Sequence, residues 1–460
     1  MHLNFVCIVL NHKMRKKSAI VIGAGFSGLM AARELYRAGK NILVLEARDR
    51  VGGRVHTHWL DENTYVDLGA QWIGPTHDYM YQLLEEYGLT YFHTHDNGYH
   101  LTYLDGKRKK YKGLIPPLPV PALLNLDFAI RRVNNLSKKV NMENPGASGK
   151  AEKWDSQTLE EWMLRNIPLK KARRLFQIGI ESVYAIDPSE ISLLHTLFYC
   201  SSGKDLNVLL NIDQGAQQDR IYGGVQQLAE KIAEEFHEHI RLTSPVDRVE
   251  QQESQVIIHS GEIHWSANRL VIAIPPNLAK KIEFQPPLPP DRTKLLSRYE
   301  MGSVVKCYAI YERPFWRESN FSGLAATSGG YISVCFDNSP RDGEKGMLMA
   351  FVLAEKAKKF GLLSDAERRS IILQELSHIF GSQAGEAIEY IDKIWASETY
   401  SGGCYAGMLP PGGWTESEDQ LRFATGRTHW AGTETATIWN GYMEGAVRAG
   451  LRVAEEILVS

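Results

Sequence analysis

The run SAIVIGAGFSGLMAARELYRAG at 18–39, followed by NILVLEA at 41–47, decides the fold. SAIVI is a short apolar run rich in β-branched residues that breaks into glycine, and the residues after it keep helical spacing up to Gly39. NILVLEA supplies a second strand, so the segment predicts a right-handed βαβ unit with parallel strands at the opening of the folded chain. Between strand and helix, Gly23, Gly25 and Gly28 stand in GxGxxG spacing. Glycines there permit a tight turn, approach of backbone to a pyrophosphate and close packing of helix on sheet, while the helix N-terminus faces the negative charge. Glu46 closes the second strand, where a carboxylate can bond ribose hydroxyls. GxGxxG alone is weak evidence; its strand, helix and glutamate context makes it a dinucleotide site without choosing which dinucleotide.

Outward from that unit, composition sets limits. The 460 residues carry 52 basic and 54 acidic side chains, a net charge of -2, and 43% apolar residues. That is chain enough for two or three domains, with no global attraction to nucleic acid, so no nucleic-acid partner is expected. The five cysteines, Cys7, Cys200, Cys307, Cys335 and Cys404, are scattered without CxxC or Cys/His spacing, so no metal site is expected and a reducing compartment is the default. Apolar stretches such as GMLMAFVLA at 346–354 are about half the ~20 residues of a membrane-crossing helix, and no transmembrane anchor is expected. Residues 1–17 read as an N-terminal tail whose basic residues follow its apolar stretch, unlike a secretion signal. GKRKKYKG at 106–113 is the one dense basic cluster, read first as a solvated hairpin or loop and second as a membrane or polyanion contact.

Helical periodicities occupy 76–90 and 155–240, and 241–274 alternate as strands ending in LVIAIPP at 270–276, a return to the first sheet. After QPPLPP at 285–290, strand-like VVKCYAIY at 304–311 and YISVCF at 331–336 precede a helical 364–380 and a closing helix, MEGAVRAGLRVAEEIL, at 443–458. The expected fold is α/β: a Rossmann-like dinucleotide-binding domain built from discontinuous segments (18–90, 220–285 and 390–460), with an interleaved substrate domain of mixed sheet and helices (91–219 and 286–389).

ARDRVGGRVHT at 47–57 adds Gly52 and Gly53 beside Arg54, glycines that bring the chain close to a cofactor and a guanidinium able to bond phosphate. Further on stand LGAQWIGP (68–75), DRIYGGVQQLAE (219–230), MGSVVKCYAIYERPFW (301–316), SGGCYAGMLPPG (401–412) and HWAGTETATIWNGYMEGAVRAG (429–450). In that order these segments resemble the flavin-containing amine oxidase family, especially the monoamine oxidases and bacterial diamine oxidases, across 18–459. The resemblance implies FAD. It assigns the cofactor to Gly23, Gly25, Gly28, Glu46, Arg48, Gly53 and Arg54, then to Gly69, Ala70, Gln71 and Trp72. Val246 is implied at the adenine, Trp395 beside the flavin, and Gly432, Thr433, Glu434 and Met443 at the ribityl and pyrophosphate.

Cys404 matches the position of an 8α-thioether to the flavin, a bond a thiolate nucleophile can form. Tyr405 and Tyr442 resemble the two tyrosines that flank the amine, and both also border the cofactor. Lys306 sits among apolar neighbours in its strand, so it either snorkels outward or meets a polar cavity. The resemblance implies the second, with a water held near flavin N5 and a cation that aids the oxygen step. Gln217 is implied as a polar residue near the amine, and Gly179, Ile180, Leu210 and Val334 as pocket residues that depart from the animal enzymes.

The expected reaction takes a primary amine, water and O2 to an aldehyde, ammonia and H2O2 through an imine. A monoamine ranks first as substrate, a putrescine-type diamine second and an L-amino acid third. A flavin-bearing binding protein without oxidase activity is the non-enzymatic alternative. The chain ends at Ser460 just after the closing helix, without the hydrophobic C-terminal helix of the animal enzymes. A soluble cytoplasmic enzyme is therefore expected, with a homodimer implied by resemblance alone.

Overall fold

The computed structural model describes residues 16–416 and 421–460. The tail lies outside the described residues up to residue 15, as does Cys7; Lys17 already opens the first strand. An eight-stranded sheet runs in the order Ile240–Arg241, Ile42–Leu45, Lys17–Ile22, Ile263–Ile272, Val256–Ser260, Arg248–Gln251, Glu283–Gln285, and Thr428–Trp430 also pairs with Ile263–Ile272. The pairings around Lys17–Ile22 are parallel, and Ile42–Leu45 is buried throughout, as a sheet covered on both faces requires. The strand at 263–272 thus returns to the first sheet as its sequence predicts. The helices Phe26–Arg37 and Met443–Leu458 share one core cluster on this sheet with Val21, Val44 and Val271. On the other face, the helix Pro290–Arg298 packs Leu295 and Leu296 against Ile20 and Ile22.

A second sheet has seven strands in the order Glu389–Ile394, Val304–Tyr311, Gly346–Leu353, Val334–Asp337, Phe321–Thr327, Tyr99–Leu104, Lys107–Tyr111. The strand Val304–Tyr311 is entirely buried, and its period of two divides it between layers. Val305, Cys307, Ala309 and Tyr311 face the helix Asp365–Phe380, which begins in a capping box of Ser364 and Glu367. Val304, Tyr308 and Ile310 join the opposite cluster with Trp395 and Cys404, and the same alternation puts Lys306 on that side. The basic segment at 106–113 forms the second arm of a hairpin, Tyr99–Leu104 with Lys107–Tyr111.

A helical layer, including Val120–Ser137, Leu159–Asn166, Lys170–Tyr184 and Leu193–Ser202, surrounds a core of Trp154, Trp162, Phe176, Tyr184 and Phe198. Among the described residues no helix is long and apolar enough to cross a membrane.

Candidate active site

The site begins where Lys17–Ile22 turns into Phe26–Arg37. Gly23 has φ +100°, and a Cβ there would stand 2.8 Å from the Ala273 carbonyl oxygen. A Cβ at Gly28 would lie 1.9 Å from the Gly23 carbonyl oxygen, so this glycine seats the helix on the turn and is not itself in the cavity wall. The Glu46 carboxylate, 4% exposed, is oriented by two backbone donors: Ala24 N–H to Oε2 (2.7 Å) and Arg48 N–H to Oε1 (2.9 Å). The helix Phe26–Arg37 has no side-chain cap, which leaves first-turn N–H groups beside the cavity. Gly52 and Gly53 close against Gly25, and Val246 lines the wall beyond Glu46.

Arg54 lines the cavity, as its sequence reading places it, and is also tied to the protein behind it. Its guanidinium forks onto Glu434 (Nη1 to Oε1 2.6 Å, Nη2 to Oε2 3.1 Å) and donates to the Tyr405 carbonyl at 2.9 Å. Glu434 also accepts from Gly407 N–H at 3.1 Å and stands behind Arg54, out of the cavity wall. The cause is the cost of burying a carboxylate, whose side chain is 1% exposed here, without a partner. Burial works against the Arg54 charge, and Glu434 more than offsets it, so the Arg54 pKa is raised. Arg48 is tied in the same way, to Ser401 Oγ at 2.9 Å, the Tyr400 carbonyl at 3.2 Å and Glu398 at 3.3 Å.

Farther along the cavity, Lys306 is 2% exposed and its Nζ donates to the carbonyls of Asp67 (2.5 Å) and Gly69 (2.8 Å) and to Gln71 Oε1 (2.7 Å). Burial lowers its pKa, with Asp67 pulling the other way. Three acceptors around one nitrogen are all matched only by the ammonium form. The polar surroundings anticipated for this lysine are thus supplied by protein oxygens. Trp395 donates from Nε1 to the Leu68 carbonyl at 2.8 Å and forms part of the wall with Gly69, Ala70, Gln71 and Trp72. Cys404 lies in the wall too; burial pushes its thiol up to about 12, against the pull of Arg54 and Lys306.

Tyr405 and Tyr442 both line the far end, each in its own aromatic setting: Phe351 sits edge-on to Tyr405 (centroids 6.2 Å), and Trp439 edge-on to Tyr442 (4.9 Å). Thr433 Oγ1 fixes the Tyr442 carbonyl at 2.8 Å; Gly432 and Met443, the first residue of the closing helix, border the same space. Sequence reasoning missed Tyr199, which lines this end with its ring centroid 6.0 Å from that of Tyr442. It also missed Phe351, Val183 and Ala216.

Of the five substrate-pocket residues, Gln217 is in the wall. The other four are not: Gly179 faces Leu210, whose methyls would lie 3.5–3.6 Å from a Cβ there, Ile180 is 1% exposed in the helical core, and Val334 packs beside the strand of Phe351. Helical and strand periodicity turn these four side chains into neighbouring layers.

The cavity that joins these groups holds about 390 Å³, within the ~300–1,000 Å³ common for cofactor and ligand sites. A glycine-lined turn, open helix N–H groups and an oriented carboxylate at one end fit the pyrophosphate and ribose of FAD; the aromatic far end fits a flat ring facing a small substrate. Fold and site together define a dinucleotide-dependent oxidoreductase of small molecules.

A family model described as flavin containing amine oxidoreductase matches residues 26–458. The chain is 36% identical to a probable flavin-containing monoamine oxidase A of Dictyostelium discoideum, covering 95% of this chain and 96% of that one. It is also 36% identical to the flavin-containing amine oxidase A of Equus caballus, covering 95% and 84%. Among solved structures it superposes on putrescine oxidase bound to putrescine (TM-score 0.92, 31% identity, 97% and 99% covered). Cyclohexylamine oxidase from Brevibacterium oxydans matches equally well (TM-score 0.92, 30% identity, 96% and 98% covered). The chain belongs to the flavin-containing amine oxidase family. At the level of that family its activity is FAD-dependent oxidative deamination of an amine to an aldehyde, ammonia and hydrogen peroxide.

Proposed function

We propose that this chain oxidises primary amines presented between Tyr405 and Tyr442, with short diamines as the preferred class. The observation that carries this reading is one cavity running from the dinucleotide turn to an aromatic end; among the described residues Glu46, at the opposite end, is the only acid in its wall. Without an anionic partner, and with the Lys306 charge nearby, the reacting amine is favoured in its neutral form, whose lone pair assists loss of hydride from the α-carbon. The two tyrosine faces orient that nitrogen and can stabilise charge developing on it. When bound, FAD takes the hydride equivalent and passes two electrons to dioxygen, so that amine, water and dioxygen become aldehyde, ammonia and hydrogen peroxide.

One observation favours the diamine over the monoamine expected from sequence, on a fold that superposes on putrescine oxidases over 96–97% of the chain and on cyclohexylamine oxidase over 96%. Gln217 donates from Nε2 to the Leu209 carbonyl at 3.1 Å, which leaves its Oε1 as an acceptor for a distal ammonium. A monoamine is the second reading, supported by the curated relatives and by the apolar wall of Val183, Ala216 and Phe351. An L-amino acid fits less well, since Arg48, Arg54 and Lys306 already have protein partners. Peroxide release with putrescine, phenethylamine, benzylamine, tyramine and L-amino acids tests the ranking. The expected result is a higher kcat/KM for putrescine than for phenethylamine; the reverse order selects the monoamine, and turnover of L-amino acids alone contradicts both.

A further inference from the structure

One charged feature of the sequence has no part in this chemistry. Residues 105–139 hold nine basic and two acidic side chains, a net charge of +7 in a chain of net -2. Lys107, Arg108, Lys109 and Lys110 are exposed along the edge strand of the seven-stranded sheet, and the ammonium groups of Lys110 and Lys112 lie 4.8 and 5.1 Å from the Tyr99 ring centroid.

The helix that follows, Val120–Ser137, turns Ala122, Leu126, Ala129 and Val133 into the helical core. On its outer face Val120, Leu124 and Phe128, spaced by four, are 67%, 64% and 54% exposed, and the next residue in that row, Arg132, sits 5.8 Å over the Phe128 ring. Two links join this stripe to its surroundings. Asn125 donates to the Asn166 carbonyl and accepts from Leu169 N–H, both at 3.3 Å, at a turn where Leu164 and Leu169 are exposed beside Lys170 and Lys171. From the helix Lys170–Tyr184, Arg174 reaches Asp105 at the hairpin tip (2.6 Å). Hairpin, helix and turn therefore adjoin one another at the surface, with an apolar crest on the helix and cationic residues beside it.

We propose that this face docks on an anionic phospholipid surface, with Leu124 and Phe128 entering the boundary of headgroups and acyl chains and the lysines meeting lipid phosphates. Amphipathic helices bind membranes by this combination of apolar area and basic flanks. A nucleic acid would use the charge and leave the apolar stripe in water, and a second copy of the same face would bring +7 against +7.

Cosedimentation of the flavin-loaded full chain with vesicles tests it. Binding is expected to vesicles of equal parts phosphatidylcholine and phosphatidylserine at low salt, with release at high salt and none to phosphatidylcholine alone. Lys107→Gln with Lys109→Gln and Lys110→Gln should weaken binding on the order of a hundredfold. Leu124→Asn with Phe128→Asn should weaken it at least about tenfold. Peroxide output from amine is unchanged in both variants, which shows that they fold. The proposal is overturned if the wild type stays in the supernatant with both vesicles, or if both variants sediment as it does. It is equally overturned if the chain binds duplex DNA more tightly than the mixed vesicles, or if light scattering shows a dimer that Leu124→Asn with Phe128→Asn dissociates.

Discussion

At Lys306 three N–H groups meet three oxygens, and that match supports its proposed role as a held cation rather than a base. Burial lowers the pKa, so the charge is lost at lower pH than for an exposed lysine. The charge is present below that pKa and disappears as pH rises through it. The rate of the oxygen step, followed by stopped flow after anaerobic reduction, should therefore fall with rising pH at a midpoint below 10.5, the ordinary lysine value. Lys306→Met should be slow and flat across the range; a pH-independent wild type contradicts the role. Cys404 is proposed as the covalent anchor of the flavin, a reading supported by its place in the cavity wall and by putrescine oxidase structures in which a redesign of cofactor binding puts cysteine for alanine. Acid precipitation of the wild type should leave the colour in the pellet, and Cys404→Ala should release it to the supernatant. Colour in the supernatant for both rejects the anchor. These residues are legible in sequence because each stands in a dense local motif. The pairing of Arg54 with Glu434 is not, because the two stand 380 positions apart and no local pattern connects them. Tyr199 escapes for another reason: inside the apolar helix LLHTLFYCSS it reads as core.

Among the elements, the turn at 23–28 is the one whose failure would disable the site without touching the chemistry. Gly28→Ala sets a methyl against the Gly23 carbonyl and must push the helix Phe26–Arg37 away from the sheet, at a cost of about 1–3 kcal/mol. Thermal melts and flavin content should both drop in this variant. Gly149→Ala, a position with nothing within 4 Å, should change neither, and equal behaviour of the two variants would contradict the packing argument. The strands at 18–47 and the helix Met443–Leu458 are legible because period and glycine punctuation agree there. The helix Val120–Ser137 is not, since prolines at 116, 117, 119 and 121 crowd its start and its exposed apolar residues blur the helical stripe. Nor is the pairing of Glu389–Ile394 with Val304–Tyr311, a contact across some eighty residues that periodicity cannot reveal.

For the molecule as a whole, stability is tied to histidines buried in the neutral form. His77, edge-on to Trp439, and His195, stacked near Trp414, are 0% and 1% exposed, and burial lowers each pKa to about 3. The unfolded chain takes up protons near 6.5 while the folded one refuses them, so their contribution is complete above about 6.5 and is lost as pH falls toward 3. Melting temperature should decline over that interval. His195→Phe should flatten the decline at little cost at neutral pH, because neither ring nitrogen of His195 has a hydrogen-bond partner. An identical decline in wild type and variant would remove His195 from the account.

That whole, two sheets and a helical layer around a shared cavity, is proposed to pass electrons from an amine held at Tyr405 and Tyr442 to FAD and then to oxygen. The most direct measurement is anaerobic titration of the purified yellow protein with putrescine and phenethylamine while its visible absorbance is recorded. Amine is expected to bleach the flavin and air to restore the colour, with one peroxide formed for each aldehyde. A flavin that stays oxidised under excess of every amine would contradict that expectation.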